Sequence, residues 1–368
     1  MKLSTDQATA VDGITEAFAS GHREVTLRGL AGTGKTSIVK LLIERLKEQT
    51  CDIRVLAPTG KAASVLSDKL GDSGYDCQTI HKFAYQFRGN VRDKARNNEL
   101  VPVFDESWFQ AGIIIVDEAS MVGQRIYDHL VSAEIPILWV GDHGQLPPVN
   151  DSDPGVVSDP EHPCFTLEQV HRQDEGNGIL DLAYHVRTGG SLKDDLGSPD
   201  VAHYRPKSMT EMVEYCVDHG VDTVITATNK YRNAINLTFR KKHGFLGGPG
   251  DSCKMICLRN NYSFGMFNGE VWSIAGDVTH NRRAGCFTAS LVNDLGHSRR
   301  RVVMTPDLEY QERDKVIVDY GFGLTCHKSQ GSEWDHVAVI ADGIHGDYAS
   351  WAYTAVTRAE QKVSILYK

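Results

Sequence analysis

The sequence predicts an α/β protein made of two parallel-sheet lobes, with a small all-β module set into the second. Three observations predict it. Short apolar runs alternate with helical patterns along most of the chain. A glycine-rich loop follows the first apolar run and opens a helix. Between Phe245 and Asp314 the texture changes to short alternating segments broken by Gly and Asn.

The first lobe, 1–165, has strands expected near Glu24–Arg28, Ile53–Ala57, Ile113–Val116 and Ile137–Val140. Each is followed by a Gly-, Pro- or Asp-containing turn, where α/β folds place ligands. Within it, 85–103 reads as a polar, basic insertion with Gly89-Asn90 and Asn97-Asn98 turns, a protruding hairpin. The second lobe, 166–244 and 315–368, has strands near Val221–Thr226, Val337–Ala341 and Val363–Leu366. The module at 245–314 has strands near Lys254–Leu258, Glu270–Ile274, Cys286–Val292 and Arg299–Met304, with Asn268-Gly269 as a hairpin signal.

A length of 368 residues suits two or three such domains, and 41% apolar with 24% charged residues is ordinary for a soluble globular protein. No apolar run approaches the roughly 20 residues that a membrane span needs. No charged n-region precedes an apolar stretch at the start, so neither secretion nor a membrane partner is expected. Eight cysteines lie scattered without zinc spacing. Cys253 and Cys257 would share one face of a strand in a packed barrel interior, and reduced thiols imply a cytoplasmic setting. A net charge of −9 argues against coating nucleic acid by charge alone. A strand can still be gripped by stacking, backbone amides and a few local cations. Arg240–Lys242 and Arg299–Arg301 supply such cations, or are simply solvated faces.

The loop Gly29-Leu-Ala-Gly32-Thr33-Gly34-Lys35-Thr36 is a P-loop pattern in its proper context, between a strand and a helix. Its glycines let backbone N–H groups wrap phosphates at a helix N-terminus. Lys35 is expected to reach the β- and γ-phosphates of ATP, and Thr36 to bind Mg²⁺. The run Ile113–Val116 ends at Asp117 and Glu118. Asp117 would hold Mg²⁺ through its water shell, while Glu118 would orient and deprotonate the attacking water. Without the P-loop, such a pair could equally be a helix cap. Gln7 completes a capping box with Ser4. A glutamine upstream of a P-loop can also read the adenine edge, and the two roles are compatible.

The remaining motifs, in order, are Ala57–Ala63, Thr79-Ile80-His81, Asp117–Ser120, Gly141–Val149, His171-Arg172-Gln173, His327–Glu333 and Tyr353–Ala359. Their order and spacing resemble superfamily 1 helicases of the RecD/Dda type, over nearly the whole chain. Gln145-Leu-Pro-Pro and Gln330-Gly-x-Glu333 resemble the 5′→3′ branch more than the UvrD-like 3′→5′ branch. The resemblance implies two RecA-like lobes with ATP hydrolysed in a cleft between them, and an SH3-like fold for the inserted module. The chain departs from larger relatives in having no large amino-terminal extension and a short module.

The resemblance also implies roles. Gln145 would sense the γ-phosphate and relay its presence to the nucleic acid. Arg172 and Arg358 would act as arginine fingers, since guanidinium stays charged and forks onto phosphate oxygens; the plain alternative for each is a surface ion pair. Gly331 and Glu333 would line the same cleft. For the strand it nominates Pro58, Thr59, Lys61, His81, Thr228, Asn229, His327 and Ser329, and Phe87 with Arg88, Arg92, Lys94 and Arg96 in the 85–103 insertion as a duplex-splitting wedge, the plain alternative being a solvated loop with no role. An individual histidine among them could instead be packed or capping.

The expected function is an ATP-dependent DNA helicase or translocase moving 5′→3′, a monomeric motor on single-stranded and fork DNA. Its partners would be replication or recombination proteins such as a single-strand-binding protein. Two rivals remain: an RNA helicase of the same superfamily, and a P-loop switch that binds nucleic acid without unwinding. Intact Glu118, Gln145 and two finger candidates weigh against the switch.

Overall fold

The computed structural model describes the chain except for residues 1–2, 49, 51, 72–74, 76, 87–91, 94–98, 101–102, 105–110, 149–150, 170–176, 262, 295 and 311–313. The chain divides into two compact units, Met1–Arg172 and Gln173–Lys368.

The first unit has strands β1 (Glu24–Gly29), β2 (Ile53–Ala57), β3 (Cys77–Thr79), β4 (Tyr85–Gln86), β5 (Arg92–Asp93), β6 (Glu99–Leu100), β7 (Val103–Phe104), β8 (Ile113–Val116), β9 (Ile137–Gly141) and β10 (Cys164–Leu167). Its helices are α1 (Thr5–Ala19), α2 (Lys35–Leu46), α3 (Gly60–Leu70), α4 (Ile80–Ala84) and α5 (Gln124–Ser132). Six strands form one sheet in the order β10-β1-β9-β8-β2-β3, with every neighbouring pair parallel.

Strands buried on both faces read as unbroken apolar runs, and β8 and β9 show why. Ile113, Ile115, Leu138 and Val140 pack with Val11 and Ile14 of α1 and Ile38 and Leu42 of α2. Their neighbours Ile114, Val116, Ile137 and Trp139 pack on the other face with Leu130 of α5. The two-residue period of a strand divides each run between the two cores. The expected hairpin insertion is present as paired backbone: β4 with β7 and β5 with β6, both antiparallel. Phe87, Arg88, Lys94 and Arg96 lie outside the described residues.

The second unit begins with α6 (Gly178–Arg187), β11 (Val201–Tyr204), α7 (Met209–Asp218), β12 (Thr223–Thr226) and α8 (Asn229–Lys242). The all-β strands follow: β13 (Lys254–Cys257), β14 (Val271–Ile274), β15 (Thr279–Asn281), β16 (Cys286–Asn293), β17 (Ser298–Thr305) and β18 (Val316–Tyr320). The chain then returns through β19 (Gly323–Thr325), α9 (Cys326–Ser329), β20 (Trp334–Ile340), α10 (Tyr348–Val356) and β21 (Ala359–Leu366). A parallel sheet has the order β11-β21-β20-β12-β19. The module's sheet runs β14-β13-β18-β17-β16-β15 and closes on itself where β14 pairs β16, a small barrel.

Two boundaries differ from the sequence expectation. β18 pairs with β13 and β17 inside the barrel, so the module's sheet passes the end expected at 314. β10 pairs with β1 and carries the first sheet past 165. Val316–Val318 is a continuous apolar run, the same signature that marks a parallel strand, because it too is buried. Cys253 and Cys257 are fully buried in the core of the second unit, where burial pushes both thiols up to about 12. No helix among the described residues is long and apolar enough to cross a membrane.

Barrel and parallel sheet are joined by a two-residue step, Gly321-Phe322, between β18 and β19. Buried Asn236 of α8 clamps this step from both sides. Its Nδ2 donates to Tyr320 O at 3.0 Å and Gly323 O at 3.1 Å, and its Oδ1 accepts from Gly323 N at 2.7 Å. Phe322 stacks on Phe239 of the same helix, with ring centroids 4.7 Å apart. Asn236→Ala would strand buried backbone groups, at about 1–3 kcal/mol for each unsatisfied group. Urea denaturation should show the variant at least about 2 kcal/mol less stable, whereas a loss within about 0.5 kcal/mol would show that the clamp holds nothing.

Candidate functional site

In a parallel sheet all carboxyl ends lie along one edge, and the strand order fixes which loops become neighbours. In the first unit that edge reads, from β1 through β9, β8 and β2 to β3: the P-loop, Asp142–Gln145, Asp117-Glu118, Pro58-Thr59 and His81. Phosphate candidates thus occupy one half and strand candidates the other, with Glu118 and Gln145 between them.

The P-loop turns from β1 into α2 through Gly32 and Gly34, with φ of 79° and 81°. This is the left-handed region that only glycine enters without strain. Gly34 is the N-cap of α2, so Lys35 and Thr36 stand on its first turn. A Cβ at Gly29 would lie 2.5 Å from Thr33 Oγ1, and that hydroxyl donates to Leu30 O at 2.9 Å. Lys35 Nζ folds back onto the loop, donating to Gly29 O at 2.8 Å and Leu30 O at 2.9 Å, and lies 3.9 Å from Asp142 Oδ2.

Asp142 is buried and its Oδ1 accepts from Gly144 N at 2.8 Å, which sets the turn that carries Gln145. Gln145 Oε1 is buried without a hydrogen-bond partner among the described residues. A buried acceptor left unpaired is costly and needs a reason. Burial raises the pKa of Asp117, against the opposing pull of the Glu118 amide and the Lys35 charge. The Glu118 amide donates to Asp117 Oδ1 at 2.9 Å, and Glu118 itself sits at φ 52° and ψ 39°. A glutamate held in the left-handed region stores on the order of 1–3 kcal/mol of strain that the surrounding structure must hold.

Gln7 does close the capping box: Ser4 N donates to its Oε1 at 3.2 Å. Its Nε2 donates to Thr33 O at 3.2 Å, tying α1 to the P-loop. Beside it, Asp6 accepts from Gln7 N, Glu168 N and Gln169 N, each at 2.9 Å, and from the Ser4 hydroxyl. Burial works against ionising Asp6, but these bonds outweigh it and hold its pKa at about 2. The sequence reading missed both Asp6 and Asp142. Asp142 carried a signal, an aspartate directly after a buried strand, as at Asp117.

Pro58 and Thr59 are half-buried, and the Thr59 hydroxyl caps α3 by accepting from Ala62 N at 3.1 Å. His81 is exposed on α4, while Lys61 is buried. In the second unit, Thr228 caps α8 at the carboxyl end of β12 and Asn229 is exposed beside it. Exposed His327 follows β19, the neighbouring strand. Ser329 differs from the expectation of a strand contact: it is buried and its hydroxyl donates to Cys326 O at 2.7 Å.

Arg358 stands at the amino end of β21, and Gly331 and Glu333 just before β20, the opposite edge from Thr228. Its guanidinium is 3% exposed and donates to Thr354 O at 3.1 Å, Ser332 O at 3.2 Å and Thr357 Oγ1 at 3.2 Å. It is not the surface ion pair that was the alternative. Arg172 lies outside the described residues.

A family model described as an AAA domain matches residues 2–198, more than half of the chain, and one described as a UvrD-like helicase C-terminal domain matches 320–366. The chain is 27% identical to the ATP-dependent RecD2 DNA helicase of Deinococcus radiodurans, over 98% of this chain and 48% of that protein. It is 31% identical to the ATP-dependent DNA helicase dda of Enterobacteria phage T4, over 51% of this chain and 43% of that one. It thus spans about half or less of the length of these curated relatives. The RecBCD enzyme subunit RecD of Buchnera aphidicola is 30% identical over 93% of this chain and 70% of that protein. Among solved structures, Bacteroides Pif1 bound to ssDNA shares the fold with a TM-score of 0.62 at 18% identity, over 99% of this chain and 92% of that one. Pif1 helicase from Candida albicans does so at 0.60 and 18%, over 100% and 94%. The motifs seated along the first sheet and the match to RecD together show that the chain belongs to the RecD/Dda-type superfamily 1 helicases, with an AAA-type P-loop domain.

Proposed function

We propose that the chain is the motor core of an ATP-dependent DNA helicase or translocase that moves 5′→3′ on single-stranded DNA. One observation carries the reading: Lys35, Asp142, Gln145, Asp117 and Glu118 share the carboxyl edge of three adjacent strands. DNA comes from the relatives, whose names include DNA helicases and a complex with ssDNA, and direction from the resemblance of Gln145-Leu-Pro-Pro and Gln330-Gly-x-Glu333 to the 5′→3′ branch.

The residues fit a nucleotide with its Mg²⁺. Two left-handed glycines leave the loop amides free of side chains, Asp117 is a carboxylate whose burial favours a cation beside it, and Gln145 Oε1 lacks a partner among the described residues. When bound, ATP with Mg²⁺ would supply the γ-phosphoryl group that water attacks. Lys35 would exchange its two loop carbonyls for phosphate oxygens, with Asp142 keeping it near the loop. Thr36 and Asp117 would hold the cation, and Glu118 would orient the water and take its proton. Gln145 positions on one side of Glu118 and answers to the strand candidates on the other. Arg358 acts as a finger, and the carbonyls of Ser332 and Thr354 hold its fork in place. Gln7 steadies the P-loop and leaves its carboxamide edge to read adenine. The motor works as a monomer in the cytoplasm beside a single-strand-binding protein.

Lys35→Ala should abolish DNA-stimulated ATP turnover while the protein stays folded and holds single-stranded DNA, read by phosphate release and anisotropy. Retained, DNA-stimulated hydrolysis would sink the site. Arg358→Lys keeps the charge and loses the fork. It should lower kcat on the order of 10³-fold with little change in nucleotide affinity; normal turnover in this variant would make Arg358 a structural residue only. Replacing 88–98 by a short Gly/Ser turn tests the wedge. DNA-stimulated ATPase should survive and most duplex unwinding disappear, since unstacking a base step costs a few kcal/mol and needs a rigid wedge. Unwinding at the parental rate would place strand separation elsewhere.

A further inference from the structure

The basic run Arg240–Lys242 has no part in the site above. Arg240 instead borders a cavity of about 390 Å³ formed by the last turn of α8, the turn 246–249 and the barrel. Its floor is apolar, made by Met255 of β13, Phe287 of β16 and Val318 of β18. Leu246 also lines the cavity and is 56% exposed, so it can take up an apolar group that enters. Arg240 and Arg282 put positive charge on the rim. The acidic lining residue, Asp319, lies 3.3 Å from Arg232 and is already matched. The wall at Gly248 is a close approach: φ is 138°, and a Cβ there would lie 2.5 Å from His280 Cε1.

Arg240 carries the strongest demand. Its guanidinium lies over the Tyr320 ring, 4.2 Å from the centroid, and its Nε is buried without a hydrogen-bond partner among the described residues. The half-buried guanidinium carries a full positive charge beside the cavity, and its N–H groups suit an anionic acceptor. We propose that this cavity docks an acidic peptide segment of a partner protein. One apolar side chain rests on Met255, Phe287 and Val318, and an adjacent carboxylate meets Arg240 and Arg282. A nucleic-acid strand fits less well, because it needs open ring faces for stacking. Here Tyr320 is covered by Arg240 and Phe287 is buried in the barrel. The assignment is independent of the motor reading.

The test is fluorescence anisotropy with a short fluorescein-labelled peptide alternating aspartate with leucine and phenylalanine. A lysine-for-aspartate control and unlabelled oligo(dT) as competitor complete it. Saturable binding of the acidic peptide alone is expected, weakened at least about tenfold by Arg240→Glu, Arg282→Glu and Leu246→Asp. The last two are exposed positions, so they keep the test decisive should Arg240→Glu fail to fold by circular dichroism. DNA-stimulated ATPase of Arg282→Glu should stay at the parental level. The proposal is overturned by no saturable binding, by equal binding of the basic control, by variants that bind as the parent does, or by oligo(dT) displacing the peptide.

Discussion

The constraint on which the rest depends is that every strand of the first sheet runs the same way. Six parallel strands deliver their outgoing loops to one edge, and helices covering both faces leave that edge as the place where polar groups can gather. Strand order then does what sequence order does not. The P-loop and Asp117 are 80 or so residues apart along the chain, yet only β9 separates their strands. From the P-loop strand to the His81 strand is four steps, roughly 19 Å at the usual strand spacing. A signal between phosphate and nucleic acid would have to cross that distance through loops seated on one rigid sheet.

The groups at that edge are held short of satisfaction. Lys35 rests on two carbonyls of its own loop, Gln145 Oε1 has no partner among the described residues, and Glu118 keeps a backbone conformation unfavourable for a glutamate. Around them the support is fully bonded: Asp6 gathers three backbone amides, and Gln7 fastens α1 to Thr33. Preorganised electrostatics would need this arrangement at the proposed site, with strain or unmet bonds at its centre and rigidity behind them.

The sequence revealed most where burial on both faces writes an unbroken apolar run. Ile53–Ala57 and Ile113–Val116 were readable to the residue, and the P-loop needed only its strand and helix as context. Short or polar strands left no such mark: β3 reads Cys-Gln-Thr and β11 carries a histidine. β18 shows the limit of the signal, since Val-Ile-Val announces burial and not which sheet provides it. Side-chain destinations were hidden as well. Nothing in Thr357-Arg358-Ala359 says that the guanidinium lies inward on Ser332 and Thr354, or that Ser329 turns its hydroxyl onto Cys326.

The junction at Gly321-Phe322 has a mechanical meaning. Two residues are too few to act as a slack tether, and Asn236 bolts both of their ends to α8. The barrel is therefore geared to β19, and β19 runs straight into His327. A tug on the barrel's outer surface would arrive as torque at the edge strand, at the root of a residue nominated to touch the track. Whatever grips the barrel would pull on that edge strand directly.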